Sequence, residues 1–224
     1  MLFQIKSYLK FLWHSKNEHA VHSPFVFNLI TKCFYDTKSK RDSSGSEQAK
    51  QYQVLKEYRN SLLENKNTIE VTDFGAGSKV FKSNTRQISQ IAKTAGISPK
   101  RAELLFRITN YFQPKSILEL GTSLGLATSA LTLGNTKAKI TTLEGCPETA
   151  HQCQLQLQKY NINTVDLVIT EFRSYLNNSQ LKTENYQLIY FDGNHSKKAT
   201  LDYFELLLPT ICNETLWIFD DIHW

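Results

Sequence analysis

The feature that most constrains the fold is a regular alternation of apolar and amphipathic segments in the second half of the chain. The apolar runs are SILEL, KITTLE, VDLVIT, YQLIYF and ETLWIF, and the amphipathic ones are SLGLATSALTLG, PETAHQCQLQLQKY and KKATLDYFELLL. Short strands that alternate with helices of roughly a dozen residues build βαβ units and a parallel sheet. We therefore predict an open, doubly wound α/β domain over residues 114–224.

The first half of the chain shows helical spacing instead. One apolar helix face is formed by Leu2, Ile5, Leu9 and Leu12. A second helix is predicted to begin at Ser23 and Pro24, because serine caps helix N-termini and proline fits the first turn. Further helices are predicted near residues 52–62, 85–95 and 98–112. We expect residues 1–113 to form a helical N-terminal cap, with a glycine loop near residues 73–78.

Composition narrows the class of protein. Hydrophobic residues make up 41% and charged residues 21% of the chain, which is ordinary for a globular protein. No apolar stretch approaches the ~20 residues of a spanning helix, and the N-terminus lacks a signal-peptide cleavage site. The four cysteines are scattered, which is typical of reduced thiols in the cytosol. The net charge of +5 is small and the lysines are spread along the chain, so we predict no nucleic-acid partner. Together these features predict a cytoplasmic protein without a membrane partner.

Acids and glycines follow the predicted strands at the point where each strand ends. They are Glu119 with Gly121, Glu144 with Gly145, Asp192 with Gly193, and Asp220 with Asp221. In doubly wound sheets, ligands bind beyond the carboxyl ends of the strands. The pattern therefore predicts a binding site at this edge of the sheet.

Two glycine loops compete for that site, DFGAGSK at residues 73–79 and ELGTSLG at residues 119–125. A nucleoside cofactor needs an acid at the end of the next strand to bind the ribose hydroxyls. Glu144 follows Glu119 after one helix and one strand, whereas two predicted helices separate Asp73 from Glu119. The second loop is thus the predicted cofactor loop. The first loop either forms a tight turn of its own or packs over the mouth of the cofactor site.

The second loop reads E-x-G-x-x-x-G, and Glu119 puts a negative charge where a phosphate would otherwise lie. The loop therefore suits a cofactor with a cationic end. The segment ILELGTSLGLATSAL, with Glu144 closing TTLEG, resembles the class I S-adenosylmethionine-dependent methyltransferases. It is most similar to their small-molecule O-methyltransferase branch, and LIYFDGNH and LWIFDDIHW resemble later strands of that branch. VHSPFVFNLI and DFGAGS are similar to a bacterial group with a helical leader.

The resemblance covers roughly residues 114–224 and implies a mostly parallel, Rossmann-like methyltransferase sheet. It also implies that S-adenosyl-L-methionine is the cofactor. The implied cofactor-binding residues are Glu119, Gly121, Thr122, Ser123, Gly125, Glu144, Phe172 and Asp192. Glu119 would take the ammonium group, Glu144 the ribose hydroxyls, and Phe172 would lie near the adenine.

Some members of this branch hold a divalent cation, and the resemblance places Mg²⁺ on Asp192, Asp220 and Asp221. Such a metal would orient a substrate hydroxyl and lower its pKa. The branch has a lysine base where this chain has His195, so His195 and Asp192 are the expected catalytic residues. Three alternatives stay open. Asp192 could cap a helix or bind the cofactor, the Asp220–Asp221 pair could be a turn, and His195 could be an exposed loop residue.

The chain departs from the class I pattern at its C-terminus. That fold closes with an antiparallel hairpin after the fifth strand, and no residues remain for one here. The apolar segment WIF would then lie on an open sheet edge. The N-terminal helices could cover the edge, a second chain could pair with it in a homodimer, or the chain could be a shortened form of a longer enzyme. The last alternative is the expected one.

These patterns together predict an S-adenosylmethionine-dependent methyltransferase that methylates a hydroxyl group of a small molecule. One alternative is a methyltransferase that acts on tRNA or protein. Another is a non-catalytic nucleoside-binding module derived from a methyltransferase. A nicotinamide oxidoreductase fits less well, because the glycine spacing differs from the dinucleotide pattern.

Overall fold

The computed structural model describes residues 2–14, 22–35, 46–72, 74, 83–178 and 184–221. Its first half contains the helices α1 (Leu2–His14), α2 (Pro24–Asn28), α3 (Glu47–Glu64), α4 (Ile88–Thr94) and α5 (Pro99–Phe112), and α2 continues through a π-helical turn, Leu29–Phe34. The side chain of Ser23 accepts a hydrogen bond from the N–H of Val26. Pro24 occupies the first turn of α2, as predicted from the sequence.

The first half also contains a short antiparallel strand pair, β1 (Thr68–Glu70) and β2 (Thr85–Gln87). The N–H of Val71 extends the pair by donating to the carbonyl of Asn84. The sequence pattern predicted a helix from residue 85 onward, but α4 begins only at Ile88. Strands of three residues are too short to show the alternation that identifies a strand. Asp73, Gly75 and Gly77 of the first glycine loop lie outside the described residues.

The second half alternates strands and helices, as predicted. The elements are β3 (Ser116–Leu120), α6 (Leu126–Gly134), β4 (Lys139–Glu144), α7 (Pro147–Lys159), β5 (Val165–Ile169), α8 (Phe172–Leu176), β6 (Tyr186–Phe191), α9 (Lys197–Leu207) and β7 (Ile211–Phe219). The sheet order is β5-β4-β3-β6-β7, and all of its pairings are parallel. The predicted doubly wound, Rossmann-like sheet is therefore confirmed.

The chain order reverses between β3 and β6, which are neighbours in the sheet. Leu118 of β3 lies opposite Thr141 of β4 on one side and Ile189 of β6 on the other. Beyond the carboxyl ends of β3 and β6, the N–H of Asp192 donates to the carbonyl of Leu120 at 2.9 Å. This reversal is the position at which doubly wound sheets bind ligands.

Helices cover the sheet on both faces. On one face, Ile117, Ile140 and Leu188 pack into a core with buried side chains from α3 to α7. On the other face, Leu118 and Ile189 pack with side chains of α8 and α9. The first core joins side chains from both halves of the chain.

Strand β7 lies at the end of the sheet and has no strand partner on its outer edge among the described residues. None of the described helices is long and apolar enough to cross a bilayer.

Candidate functional site

The glycine turn after β3 contains three residues with left-handed backbone conformations. The φ angles are 105° at Gly121, 48° at Ser123 and 77° at Gly125. A Cβ atom on Gly121 would lie 2.4 Å from the carbonyl oxygen of Asp192. Only glycine fits at position 121, because the backbone there is left-handed and because the end of β6 leaves no room for a side chain.

Glu144, at the end of β4, is bound to the same turn. Its Oε2 accepts a hydrogen bond from the N–H of Ser123 at 2.8 Å, and its Oε1 accepts one from the N–H of Cys146 at 2.9 Å. These two bonds fix the orientation of the Glu144 carboxylate relative to the turn. The predicted ribose acid and the predicted cofactor loop are thus in direct contact.

Glu119 lies behind the turn and is completely buried. Its Oε2 accepts hydrogen bonds from the hydroxyls of Thr128 at 2.5 Å and Thr142 at 2.6 Å. Among the described residues, no group pairs with its Oε1. Burial raises the pKa of Glu119 to about 7. Glu119 thus anchors α6 and β4 beneath the glycine turn, and its side chain is not part of the cavity wall.

A cavity that is open to solvent lies beyond the carboxyl ends of β3, β4 and β6. Of the predicted site residues, those in its wall are Gly121, Ser123, Glu144, Phe172 and Asp192. Thr122, Gly125 and Glu119 are buried behind them. Asn194 lines the cavity, whereas the neighbouring His195 is not among its lining residues.

Phe172, in the first turn of α8, is held in place at the cavity wall. Its ring packs edge to face against Tyr203, with 5.8 Å between the centroids. A Cβ atom on Gly193 would lie 2.7 Å from the Phe172 ring, so the glycine makes room for the aromatic face. An apolar face at this position suits a planar base.

The first half of the chain supplies the opposite wall. Val71, Thr72, Phe74 and Arg86 come from the β1–β2 region and line the cavity. The ring of Phe74 lies against Gly145, where an added Cβ atom would be 2.7 Å from it. Sequence reasoning missed Arg86. Phe74 belongs to the first glycine loop, and its position agrees with the expectation that this loop packs over the mouth of the site.

Tyr58 of α3 supports the glycine turn from behind. Its hydroxyl donates to the carbonyl of Leu124 at 2.9 Å. A Cβ atom on Gly125 would lie 2.5 Å from that hydroxyl and 2.6 Å from the sulfur of Cys153. Burial raises the pKa of Tyr58, so the phenol stays protonated and remains a donor.

The acids after β6 and β7 share a tyrosine. The hydroxyl of Tyr190 lies 3.2 Å from Oδ2 of Asp192 and 3.3 Å from Oδ2 of Asp220. Burial and the nearby charge of Asp220 raise the pKa of Asp192. The sequence predicted that Asp192 and Asp220 meet, and Tyr190 is the link that the pattern did not indicate.

The predicted metal ligands do not fit a metal ion in this arrangement. Nη1 of Arg101 lies 2.8 Å from Oδ1 of Asp220 and 3.4 Å from Oδ1 of Asp221. In the part of the chain that the structure describes, no three His, Cys, Asp or Glu side chains are grouped so that they could hold an ion. A guanidinium therefore occupies the position beside Asp220 and Asp221 where the ion was expected.

Comparison with known proteins agrees with this geometry. Residues 118–222 match the family model described as a methyltransferase domain. No curated protein matches the sequence.

Several solved structures share the fold. The methyltransferase PaMTH1 of Podospora anserina, bound to S-adenosylhomocysteine (SAH), is 20% identical with a TM-score of 0.55, and the match covers 83% of this chain and 70% of that one. An O-methyltransferase of Bacillus cereus in complex with SAH is 19% identical with a TM-score of 0.54, and the match covers 85% and 74%. The O-methyltransferase TomG of Streptomyces achromogenes, in complex with S-adenosylmethionine, is 18% identical with a TM-score of 0.51, and the match covers 56% of each chain. Residues 118–222 are thus similar to a methyltransferase domain, and the chain shares its fold with these solved methyltransferases.

Proposed function

We propose that the chain is an S-adenosylmethionine-dependent methyltransferase that methylates a hydroxyl group of a small molecule. One observation carries this proposal: Glu144 and the glycine turn are hydrogen-bonded to each other and both line the same open cavity. A carboxylate at the end of the second strand can accept bonds from both ribose hydroxyls. Solved structures with the same fold that contain S-adenosylmethionine or SAH support the same cofactor.

The cavity suits each part of this cofactor. Glu144 would bind the ribose, and the backbone at Gly121 and Ser123 would face the methionine part. The rings of Phe172 and Phe74 would enclose the adenine end. Glu119, with its unpaired Oε1, would favour the cationic ammonium group at short range or through water. These assignments use residues that lie in, or directly behind, one wall of the same cavity.

S-adenosylmethionine would supply the methyl group of its sulfonium: an O–CH₃ bond would form as the CH₃–S bond breaks, SAH would leave as the neutral thioether, and the hydroxyl proton would pass to a base. The residues of this chain would contribute position and a proton acceptor. Asp192 is the proposed acceptor, because it lines the cavity and its raised pKa makes its ionised form a stronger base. His195, the other expected catalytic residue, is not in the cavity wall.

The charges around the cavity favour a small acceptor over a nucleic acid. Among its described lining residues, Arg86 is the only cation, and it lies with the carboxylates of Glu144, Glu171 and Asp192. A nucleic-acid site needs a stripe of lysines and arginines to neutralise phosphates. O-methylation is supported by the relatives described as O-methyltransferases.

Calorimetric titration with SAH tests the cofactor, and turnover of labelled S-adenosylmethionine against a panel of phenols and alcohols tests the reaction. We expect SAH to bind with a stoichiometry near one. Asp192→Asn should keep SAH affinity and lose turnover by about 10²-fold or more, the usual contribution of a catalytic base. Asp166→Asn, at an exposed position on β5, serves as the control and should leave both unchanged. A wild-type protein that releases no heat with SAH would refute the proposal.

A further inference from the structure

We propose that Arg101 takes the place of a divalent cation at Asp220 and Asp221, the two carboxylates that follow β7, so that this domain works without a bound metal. The related branch suggested Mg²⁺ on Asp192, Asp220 and Asp221. The structure puts a side chain with a permanent positive charge at that location. The two arrangements exclude one another, because a metal ion and a guanidinium would compete for the same carboxylate oxygens.

The fold holds Arg101 in place. It lies in the first turn of α5, where Ser98 caps the helix by accepting from the N–H of Arg101 itself. Helix α5 packs against α6 and is fixed on the sheet by buried side chains such as Leu105 and Phe106. A helix anchored in this way presents the arginine to Asp220, 119 positions away in the sequence.

Asp220 has both carboxylate oxygens engaged by protein groups. Oδ1 accepts from Nη1 of Arg101 at 2.8 Å and from the N–H of Asp221 at 2.9 Å. Oδ2 lies 3.3 Å from the hydroxyl of Tyr190. The side chain of Asp220 is only 15% exposed, so water is largely excluded from these contacts.

A magnesium ion would require a different arrangement. Mg²⁺ binds oxygen at about 2.0–2.1 Å in near-ideal octahedral geometry, and it usually keeps several waters. The guanidinium already supplies hydrogen bonds and compensating charge to Asp220 and Asp221, and its own charge would repel a second cation at this distance. Part of the negative charge of Asp220 and Asp221 is therefore compensated from within the chain.

Metal binding by the full chain, measured without cofactor or acceptor, tests this proposal separately from methyl transfer. Mn²⁺ is titrated into chelator-treated protein and followed by calorimetry and by the electron paramagnetic resonance signal of free Mn²⁺. We expect no saturable binding up to about 1 mM for the wild type or for Arg101→Lys, which keeps the charge. Arg101→Gln should acquire one site in the range of about 10⁻⁴–10⁻³ M, typical of weak carboxylate sites.

Two further variants assign the result. Lys100→Gln removes the neighbouring exposed cation and should not bind Mn²⁺, whereas adding Asp220→Asn to Arg101→Gln should abolish the new site. Arg101 is 56% exposed, so neutral replacements should fold, which thermal unfolding verifies. The proposal is overturned if the wild type binds Mn²⁺ in a way that Asp220→Asn abolishes. It is equally overturned if Arg101→Gln binds no more Mn²⁺ than the wild type.

Discussion

The backbone N–H of Ser123 lies 2.8 Å from Oε2 of Glu144, and this hydrogen bond ties the turn after β3 to the tip of β4. The loop and the acid that were predicted separately from the sequence are therefore one unit. Any movement of the Glu144 carboxylate changes the position of the loop backbone as well. Loss of Glu144 should consequently affect the whole cofactor, beyond the ribose alone.

Glu144→Ala should weaken SAH binding by about 10- to 100-fold. Hydrogen bonds to a charged group contribute about 1.5–3 kcal/mol, and each 1.4 kcal/mol is a factor of ten in affinity. Calorimetric titration measures the change. Glu148→Ala, at an exposed position in the first turn of α7, is the matched control and should bind like the wild type. Unchanged affinity in Glu144→Ala would remove this residue from the cofactor site.

Glu119 should make stability depend on pH. Its pKa is raised from 4.5 to about 7, so the folded state binds this proton more tightly than the unfolded state does. The resulting stabilisation is fully present below pH 4.5 and is lost as the pH rises through about 7. Glu119→Gln should remove this loss and be more stable than the wild type at pH 8, by roughly 3 kcal/mol in the free energy of unfolding.

Urea unfolding of both proteins at pH 5 and pH 8 measures the effect of Glu119. The exposed Glu57→Gln is the control and should follow the wild type at both values. If Glu119→Gln and the wild type lose stability in parallel between these values, the carboxyl group of Glu119 is not the source of the dependence.

Tyr58→Phe should destabilise the protein by about 1–3 kcal/mol, because it leaves the buried carbonyl of Leu124 without its donor. The glycine turn should also be less well positioned, so SAH affinity should fall together with stability. Urea unfolding and calorimetry measure the two effects. Tyr111→Phe removes a hydroxyl from a residue that is 40% exposed and should change neither quantity. A turn that binds SAH equally well without the Tyr58 hydroxyl would show that this support is dispensable.

Phe74→Ala should weaken SAH binding by about 3- to 30-fold with little change in thermal stability. The Phe74 ring is 55% exposed and packs against Gly145 at the cavity wall, so its loss removes contact area for the ligand more than core packing. Phe34→Ala, with a ring that is 53% exposed and outside this cavity, is the control. A fall in melting temperature without a change in SAH affinity would assign Phe74 a purely structural role.

The sequence predicted the sheet well, because its signals are local. Short apolar runs, glycine turns and the strand-end acids can each be read within a few residues, and parallel pairing follows from the alternation of strands and helices, whereas the strand order comes from the structure. The placement of Gly121, Ser123, Glu144 and Asp192 around one cavity is a consequence of that order. The boundaries were less certain, and β7 begins at Ile211, earlier than its apolar run suggested.

Contacts between distant parts of the chain could not be predicted. Arg101 reaches Asp220 through packing of the first half on the second, which no local pattern encodes. For the first glycine loop the sequence left two alternatives open, and only the structure shows Phe74 against Gly145. Burial was also hidden in the sequence. Glu119 was expected beside the ammonium group of the cofactor, but two threonines hold it beneath the turn, and its contact with ligand stays a prediction.

The hydrogen bond from the Tyr58 hydroxyl to the carbonyl of Leu124 has a consequence for sequence divergence and for protein engineering. A chimera that joins only residues 114–224 to a different N-terminal region would separate the glycine turn from the tyrosine that supports it. We therefore expect that, in related sequences, the position of Tyr58 in α3 and the residues of the glycine turn change together. Such a chimera should bind SAH like the original chain only when its new N-terminal region places a tyrosine hydroxyl within hydrogen-bond distance of the Leu124 carbonyl.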